Sequence, residues 1–577
     1  MNDSSANLDA YPKTPFDEIA LAISGGGFRA ATYGLGTLMY LRRLKFDGKS
    51  LLERTQFMSS ASGGSIAVVF YLLSLHKNED FDTFKARLLG FMKGERLLHD
   101  AERILADDTQ WDNTLKTQNL INAFAKVYDN ALEKMRWESL WEISKRTHLK
   151  EVCINATEFQ SGLSFRFQNS ASSLHNVIGN NLVKLSRNDA VKNLRMGDLL
   201  AASSCFPLGF EPMIFPQDFA SDTATNQQLM ESITFVEANK EAKKGSPFAL
   251  MDGGITDNQG VESMMLAYDR RFEKQKKDLD QGRISKVKPF DLMIVADVSN
   301  RIIPPYKQPK IHFEENNSIE HYVRLVNSSL QVAIWAGLIT TAASGWGLLR
   351  NSPFGLLFIV PSVVILFGSL WLYEQKNRLL QWFDRKISAI EVVPTPTLKK
   401  FLAYFGGLKI TTLSNLLITR LDSVSTMTGE VFLKRIRRLI FEQFYSDKRY
   451  DFRRVSSFIY ALSKGYQKTP EQEEEQDKTK ESKKYPPSSD MMEIAEQART
   501  FGTTLWFDTK ANDSQITLKL MATAQFTLCH SLLNYFVELE KERDFKTLAS
   551  KDELLKLKKQ LLEDWESFSI KPLQIKE

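Results

Sequence analysis

The order of apolar and polar positions divides the chain into segments of different kinds. In "DEIALAISGGGFRAATYGLGTLMYLRRL" an unbroken apolar run, Ile19 to Ile23, gives way to three glycines and then to Phe28, Ala31, Leu35, Leu38 and Met39 at helical spacing. A short apolar run bounded by turn residues reads as a buried strand, and the 3.6-residue recurrence after it as an amphipathic helix. The same grammar returns in "TQFMSS", a Ser/Gly turn, and then Ile66, Val69, Phe70 and Leu73 on one helical face. "KPFDLMIVADVS", Lys288 to Ser299, supplies a further apolar strand. Strands alternating with helices predict an α/β fold with a parallel sheet covered on both faces.

A second kind of segment lies between Arg324 and Glu374. Two charge-free stretches, 325–349 and 354–373, are separated only by "RNSP". Each is long enough to cross roughly 30 Å of hydrocarbon, which predicts a transmembrane helical hairpin. Lys307, Lys310 and Arg324 precede it and Lys376, Arg378, Arg385 and Lys386 follow, so the positive-inside tendency puts both flanks, and the first domain with them, in the cytoplasm. Trp346, Trp371 and Tyr373 suit the interfaces. The Ser and Thr content of the first stretch also suits a helix pair buried in a soluble core.

Beyond the hairpin, "KFLAYFGGLKITTLSNLLITRL" and "EVFLKRIRRLIFEQFY" are helical in period. The second interleaves Lys434, Arg435, Arg437 and Arg438 with apolar residues, a pattern that fits either anionic lipid or the solvated face of a packed helix. Residues 466–490 are charged, nearly free of apolar side chains and end in Pro-Pro, and are expected to form a mobile loop. The expected organisation is therefore a polar tail (1–15), an α/β domain (16–323), the hairpin (324–374), a helical, partly basic region (375–465), a charged linker (466–490) and a helical C-terminal region (491–577).

Composition narrows the function classes. The chain has 577 residues, 43% of them hydrophobic, with a net charge of +5. That charge, spread over this length, does not predict nucleic-acid binding. Cys153, Cys205 and Cys529 are far apart and form no metal-ligand spacing, which implies a reducing compartment and no structural zinc. The N-terminus lacks the basic start and apolar run of a secretory signal.

Three short stretches carry candidate chemistry. In "FMSSASGGSIAVV", residues 57–69, Ser62 sits between small residues where a strand turns into a helix, as at a nucleophile elbow, with Ser60 and Gly64 at the crowded positions two residues either side. By itself this equally suits an ordinary Ser/Gly turn. A serine nucleophile needs a proton acceptor, and none of the seven histidines, His76, His99, His148, His175, His312, His321 and His530, has a triad context. "FALMDGGITDNQG", 248–260, offers a carboxylate instead: Asp252 ends an apolar run before two glycines, with Asp257 in reserve. A dry site raises a carboxyl pKa toward that of a useful base. "SGGGFRA", 24–30, offers the N–H groups of Gly25, Gly26 and Gly27 at a helix N-terminus as oxyanion donors, and Arg29 as a cation that orients the loop or meets a phosphate. The stretch matches neither GxGxxG, because Ala30 stands where glycine is required, nor a P-loop, so nucleotide binding is the weaker alternative.

Taken in order, GGGFR, the small-x-Ser-x-Gly elbow and Asp-Gly-Gly resemble the patatin-like phospholipase family. "CINATEFQSGLSFRFQN" (153–169) and "LLAASSCFPLGFEPM" (199–213) are similar to two further blocks of that family, over about residues 16 to 300, with a fainter likeness at 501–536 that implies a C-terminal region, 491–577, completing the family's core after a long insertion. The resemblance implies a three-layer α/β/α sandwich and a Ser/Asp dyad without histidine: Ser62 as nucleophile, Asp252 as base, and Gly25 to Gly27 with Arg29 as the oxyanion loop. Ser60 in place of the elbow's first glycine, and Ala30 in place of the loop's last, depart from the pattern. The expected function is a membrane-embedded lipid acyl hydrolase acting on phospholipid esters, with no metal or organic cofactor and no nucleic-acid partner. A catalytically silent lipid-binding scaffold and a serine acyltransferase are the alternatives.

Overall fold

The computed structural model describes residues 14–112, 114–169, 178–186, 189–207, 209–236, 242–299, 317–350, 353–388, 407–465, 484–508, 510–511, 514–541, 545, 548 and 550–577. Lys307, Lys310 and most of the expected mobile loop, 466–483, lie outside the described residues. The chain forms two compact units. One runs to Pro304 and resumes from Leu433 to Glu577; the other is Pro305–Phe432.

The first unit is built on a twelve-stranded sheet. Its strands are β1 (Ile19–Ile23), β2 (Thr55–Ala61), β3 (Glu151–Glu158), β4 (Leu163–Gln168), β5 (Ile178–Gly179), β6 (Val183–Leu185), β7 (Met213–Phe215), β8 (Ile233–Val236), β9 (Ala242–Lys244), β10 (Phe248–Asp252), β11 (Leu292–Asp297) and β12 (Arg454–Phe458). The order is β9-β8-β6-β5-β4-β3-β2-β1-β11-β12, with β10 joined to β3 and β7. The five strands from β3 to β12 are parallel, and β4 to β9 extend the sheet as antiparallel neighbours.

Parallel strands require helical crossovers and hence two covered faces. The side-chain alternation of β1 shows it: Ile19, Leu21 and Ile23 enter the larger core, while Ala20 and Ala22 face the smaller one. On the first face lie α1 (Gly27–Arg43), α2 (Gly63–Lys77), α3 (Leu120–Ala131) and α4 (Met196–Ser203). The second carries α5 (Val261–Asp280). This is the expected three-layer α/β/α architecture.

Residues after the second unit complete both layers. β12 extends the sheet beyond β11. α9 (Leu433–Ser446) packs Phe444 beside Tyr268 and Tyr450 in the smaller core. α10 (Ser489–Thr500), α11 (Ile516–Lys541) and α12 (Lys551–Ile570) join the larger one. The stretch 375–465, expected as a helical, partly basic region, also contains a sheet strand, and 491–577 joins the larger core as the family resemblance implied. "RVSSF" is too short and too polar to announce a strand, since its burial comes from β11 and α11 rather than from its own pattern.

The second unit contains α6 (Ile319–Leu349), α7 (Pro353–Ser388) and α8 (Ile410–Thr426). α6 and α7 run antiparallel: Gly337 approaches Leu366 so closely that an added Cβ would lie 2.9 Å from its Cα, and Lys376 donates to Asn327 at the other end. The expected spans 325–349 and 354–373 fall inside these two helices. Both are long and apolar enough to cross a membrane: the most apolar 18-residue window has mean hydropathy 1.5 within Glu320–Leu349 and 1.8 within Leu357–Leu379. Their apolar side chains, among them Val332, Trp335, Ile339, Val364 and Phe367, point outward rather than into a core.

The α1–α11 contact yields a stability prediction. A Cβ on Gly36 would lie 2.6 Å from the Met521 carbonyl oxygen, whereas one on Gly90, in the helix Phe81–Phe91, would meet nothing within 4 Å. Gly36→Ala is expected to cost about 1–3 kcal/mol by overpacking, and Gly90→Ala to leave the thermal midpoint unchanged or slightly raised. Differential scanning calorimetry of the two variants in detergent checks the contrast.

Candidate active site

Strand register brings the candidate residues together. Along one edge of β3, β2 pairs as far as Ala61 with Asn155, and β10 takes over from Asp252 with Ala156. β2 is parallel to β3 and β10 antiparallel, so the C-terminal ends of β2 and β10 meet head to head. Ser62 follows the first end and Asp252 closes the second.

Ser62 has φ 50° and ψ −125°, an unfavourable backbone for any residue with a side chain. Its N–H is held by the carbonyl (3.0 Å) and hydroxyl (3.1 Å) oxygens of Ser203. No bulk is tolerated around it: a Cβ on Gly63 would lie 2.0 Å from the Gly27 carbonyl oxygen, and one on Gly64 2.5 Å from the Ile23 and Ser24 oxygens. Ser60, the departure from the elbow pattern, is accommodated because its buried hydroxyl accepts from Ser65 (3.0 Å). Ser65 in turn bonds Ser203 (2.9 Å), which donates to the Asn155 carbonyl (2.7 Å). These hydroxyls brace the turn from behind.

Asp252 is buried. Its Oδ1 accepts the Gly254 N–H at 2.5 Å, its N–H bonds the Cys205 carbonyl, and its own carbonyl accepts from Thr157. Burial pushes its pKa up to about 6, opposed by hydrogen bonding from the Ser62 hydroxyl and the Gly254 N–H and by the charge of Arg437. Buried Oδ2 has no hydrogen-bond partner within bonding distance and angle among the described residues. The turn after it also excludes side chains: a Cβ on Gly253 would lie 2.2 Å from the Asn155 carbonyl oxygen. Asp257, the reserve base, is not at Ser62; it accepts the Ser263 N–H in the first turn of α5 (3.2 Å), and its pKa is pushed up to about 7 by burial and then by Glu262.

The glycine loop faces the same corner. A Cβ on Gly25 would lie 3.0 Å from the Ser62 Cβ. Gly25 differs from the expectation in one respect: its N–H is already donated to the Asn258 carbonyl (2.8 Å). The N–H groups of Gly26 and Gly27, where α1 begins, have no acceptor among the described residues. Gly26 (φ 141°) and Gly27 (φ 58°) occupy backbone conformations that glycine alone adopts easily. Arg29 points elsewhere. It is buried, and its Nη1 donates to the carbonyls of Arg499 (3.2 Å) and Phe501 (2.5 Å) at the end of α10. It therefore anchors the segment after α10, whose Thr504 carbonyl accepts the Phe28 N–H (2.8 Å) beside the glycines. Burial lowers the Arg29 pKa to about 10, which leaves it charged at neutral pH.

No histidine is bonded to Ser62 or Asp252 among the described residues. His148 and His530, whose pKa values burial lowers to about 4, bond Tyr71 and Asn534, and His76 and His99 lie beside glutamates. Sequence reasoning overlooked several contributors. Asn155 and Ser203 lie in the two auxiliary blocks and Asn258 in the Asp-Gly-Gly block, where their presence was a usable signal. Arg437 and Thr504 come from far along the chain, and no local pattern points to them.

A family model described as patatin-like phospholipase matches residues 21–265. Similar solved structures include human GIVD cytosolic phospholipase A2, at 12% identity over 44% of this chain and 41% of that one, with TM-score 0.30. VipD from Legionella pneumophila is also 12% identical, over 58% and 56% of the two chains, with TM-score 0.23. The matches thus span about half the length of those proteins. No curated protein matches the chain. The family match, set on this strand, turn and glycine-loop framework, identifies residues 21–265 as a patatin-like phospholipase domain.

Proposed function

We propose that this protein is a serine lipid acyl hydrolase that cleaves fatty-acyl esters of membrane phospholipids, with Ser62 as nucleophile and Asp252 as general base. The observation that carries the reading is the meeting, at one corner of the sheet, of the Ser62 turn, the buried Asp252 carboxyl and the Gly26 and Gly27 N–H groups, which have no acceptor among the described residues. Ser62 Oγ attacks the ester carbonyl while Asp252 takes its proton, and the Gly26 and Gly27 N–H groups receive the negative oxygen of the tetrahedral intermediate. Collapse breaks the ester C–O bond as Asp252 returns the proton to the leaving alcohol. Water, deprotonated by Asp252, then attacks the acyl-enzyme; fatty acid leaves and Ser62 regains its hydrogen. The chain needs no metal for these steps.

We also propose that α6 and α7 form a membrane hairpin with both ends cytoplasmic. Their outward apolar faces support this, as do Arg324 at the start and Lys376, Arg378 and Arg385 at the end.

Fatty-acid release from phospholipid vesicles by detergent-purified protein tests the chemistry. Ser62→Ala and Asp252→Asn are each expected to lower kcat/KM by about 10³-fold or more at unchanged fold. Equal release by wild type and Ser62→Ala would sink the reading. Because the base must be ionised, kcat/KM should rise with pH through about 6, the raised pKa of Asp252, and level off above it.

Topology has its own measurement. In sealed vesicles with the cytoplasmic face outward, an impermeant maleimide should label Arg378→Cys and spare Arg350→Cys until detergent is added; equal labelling of both would exclude the hairpin.

A further inference from the structure

Arg437 was one of four basic residues in a helical stripe, and the structure separates it from the others. α9 is seated by Phe444 and Leu433, both buried, with Ile440, Phe441 and Tyr445 packed against the smaller core. That seating carries Arg437 to the turn after Asp252. Its Nε donates to the Gly254 carbonyl at 2.7 Å, and its Nη2 lies 3.4 Å from where a Cβ on Gly254 would stand. The Gly254 N–H meanwhile donates to Asp252 Oδ1. Gly254 is thus gripped on both sides, its N–H by the carboxylate and its carbonyl by the guanidinium. Arg435 and Arg438 are exposed, and Arg438 pairs with Glu442 one turn along the same helix.

From this geometry we infer that Arg437 is a positioning residue for Asp252: through Gly254 it fixes the carboxylate's orientation toward Ser62, and its charge keeps that carboxylate ionised. The inference rests on the proposed Ser62–Asp252 dyad. Its consequence is that the base becomes competent only when the chain, returning from residues 305–432, seats α9 against the sheet.

The charge role has a sign that can be checked. Burial raises the Asp252 pKa and Arg437 opposes it. The other titratable groups facing Asp252 are Tyr128 on α3 and Cys205 after α4, both pushed upward by burial. Neither carries charge near neutral pH, so Arg437 is the cation that acts on the carboxyl there. Removing it should raise the Asp252 pKa and move the acidic limb of reactivity to higher pH.

The test is the rate of Ser62 modification by a fluorophosphonate probe, from pH 5 to 9, on full-length protein matched for thermal midpoint. In this reaction the Ser62 O–P bond forms, fluoride leaves and the Ser62 proton passes to Asp252. Arg437→Gln keeps an N–H donor but no charge, and its acidic limb should move to higher pH, with much of the rate regained at pH 9. Arg437→Lys should keep the wild-type limb at a reduced plateau, and Arg438→Gln should follow wild type throughout. A uniform loss in Arg437→Gln with no movement of the limb would reduce Arg437 to a packing residue and overturn the inference, as would curves that superimpose on wild type. Wild type that does not react, or reacts equally after Ser62→Ala, would overturn the dyad itself and this inference with it.

Discussion

The edge of β3 is the constraint on which the site depends. Two strands share it, β2 up to Asn155 and β10 from Ala156, and they arrive from opposite directions. A side chain just past one strand and a side chain at the tip of the other are then close without a third element to bridge them. In the proposed reaction this closeness lets a carboxylate take the serine proton with no histidine between them. The turns have no volume for side chains: Gly253 meets the β3 carbonyl of Asn155, and Gly63 and Gly64 meet those of Gly27, Ile23 and Ser24 at and just past the end of β1, all 2.0–2.5 Å from where a Cβ would sit.

Proton transfer imposes a second constraint. An ordinary aspartate in water is too weak a base, and one stripped of water without compensation would hold its proton at neutral pH. Asp252 lies between these extremes, at about 6, because burial is answered by the Ser62 hydroxyl, the Gly254 N–H and Arg437. A shift of one pKa unit corresponds to about 1.4 kcal/mol, and loss of any of these partners moves the carboxyl toward holding its proton.

The parts of this arrangement that come from local pattern were legible in the sequence. The β1 run with its glycines, the β2–Ser62–α2 turn and the Asp-Gly-Gly end of β10 each place a functional group within a few residues of a strand end, and the structure puts all three at one corner. What the sequence hid depends on contacts between distant segments. Gly25 looked equivalent to Gly26 and Gly27 until Asn258 took its N–H. Arg29 read equally as a cation that orients the loop or one that meets a phosphate, and its acceptors are the carbonyls of Arg499 and Phe501. β12 was invisible because a five-residue strand with two serines and an arginine owes its place to the neighbour it pairs with, β11.

The interruption of the α/β unit by residues 305–432 follows from where the chain leaves and returns. β11 ends at Asp297, and the Ile459 N–H bonds the Asp297 carbonyl just beyond β12, so exit and return lie on adjacent strands. A long excursion between neighbouring strands costs little extra closure entropy, because that cost grows only with the logarithm of loop length. The reverse does not hold: residues up to Pro304 alone would leave the edge of β11 unpaired, the outer side of α1 uncovered and the buried Arg29 guanidinium without its acceptors. The segment after the insertion is thus indispensable to the core's packing. An α/β unit divided in this way cannot seat α9 and Arg437 at the turn after Asp252 until the whole insertion has been made.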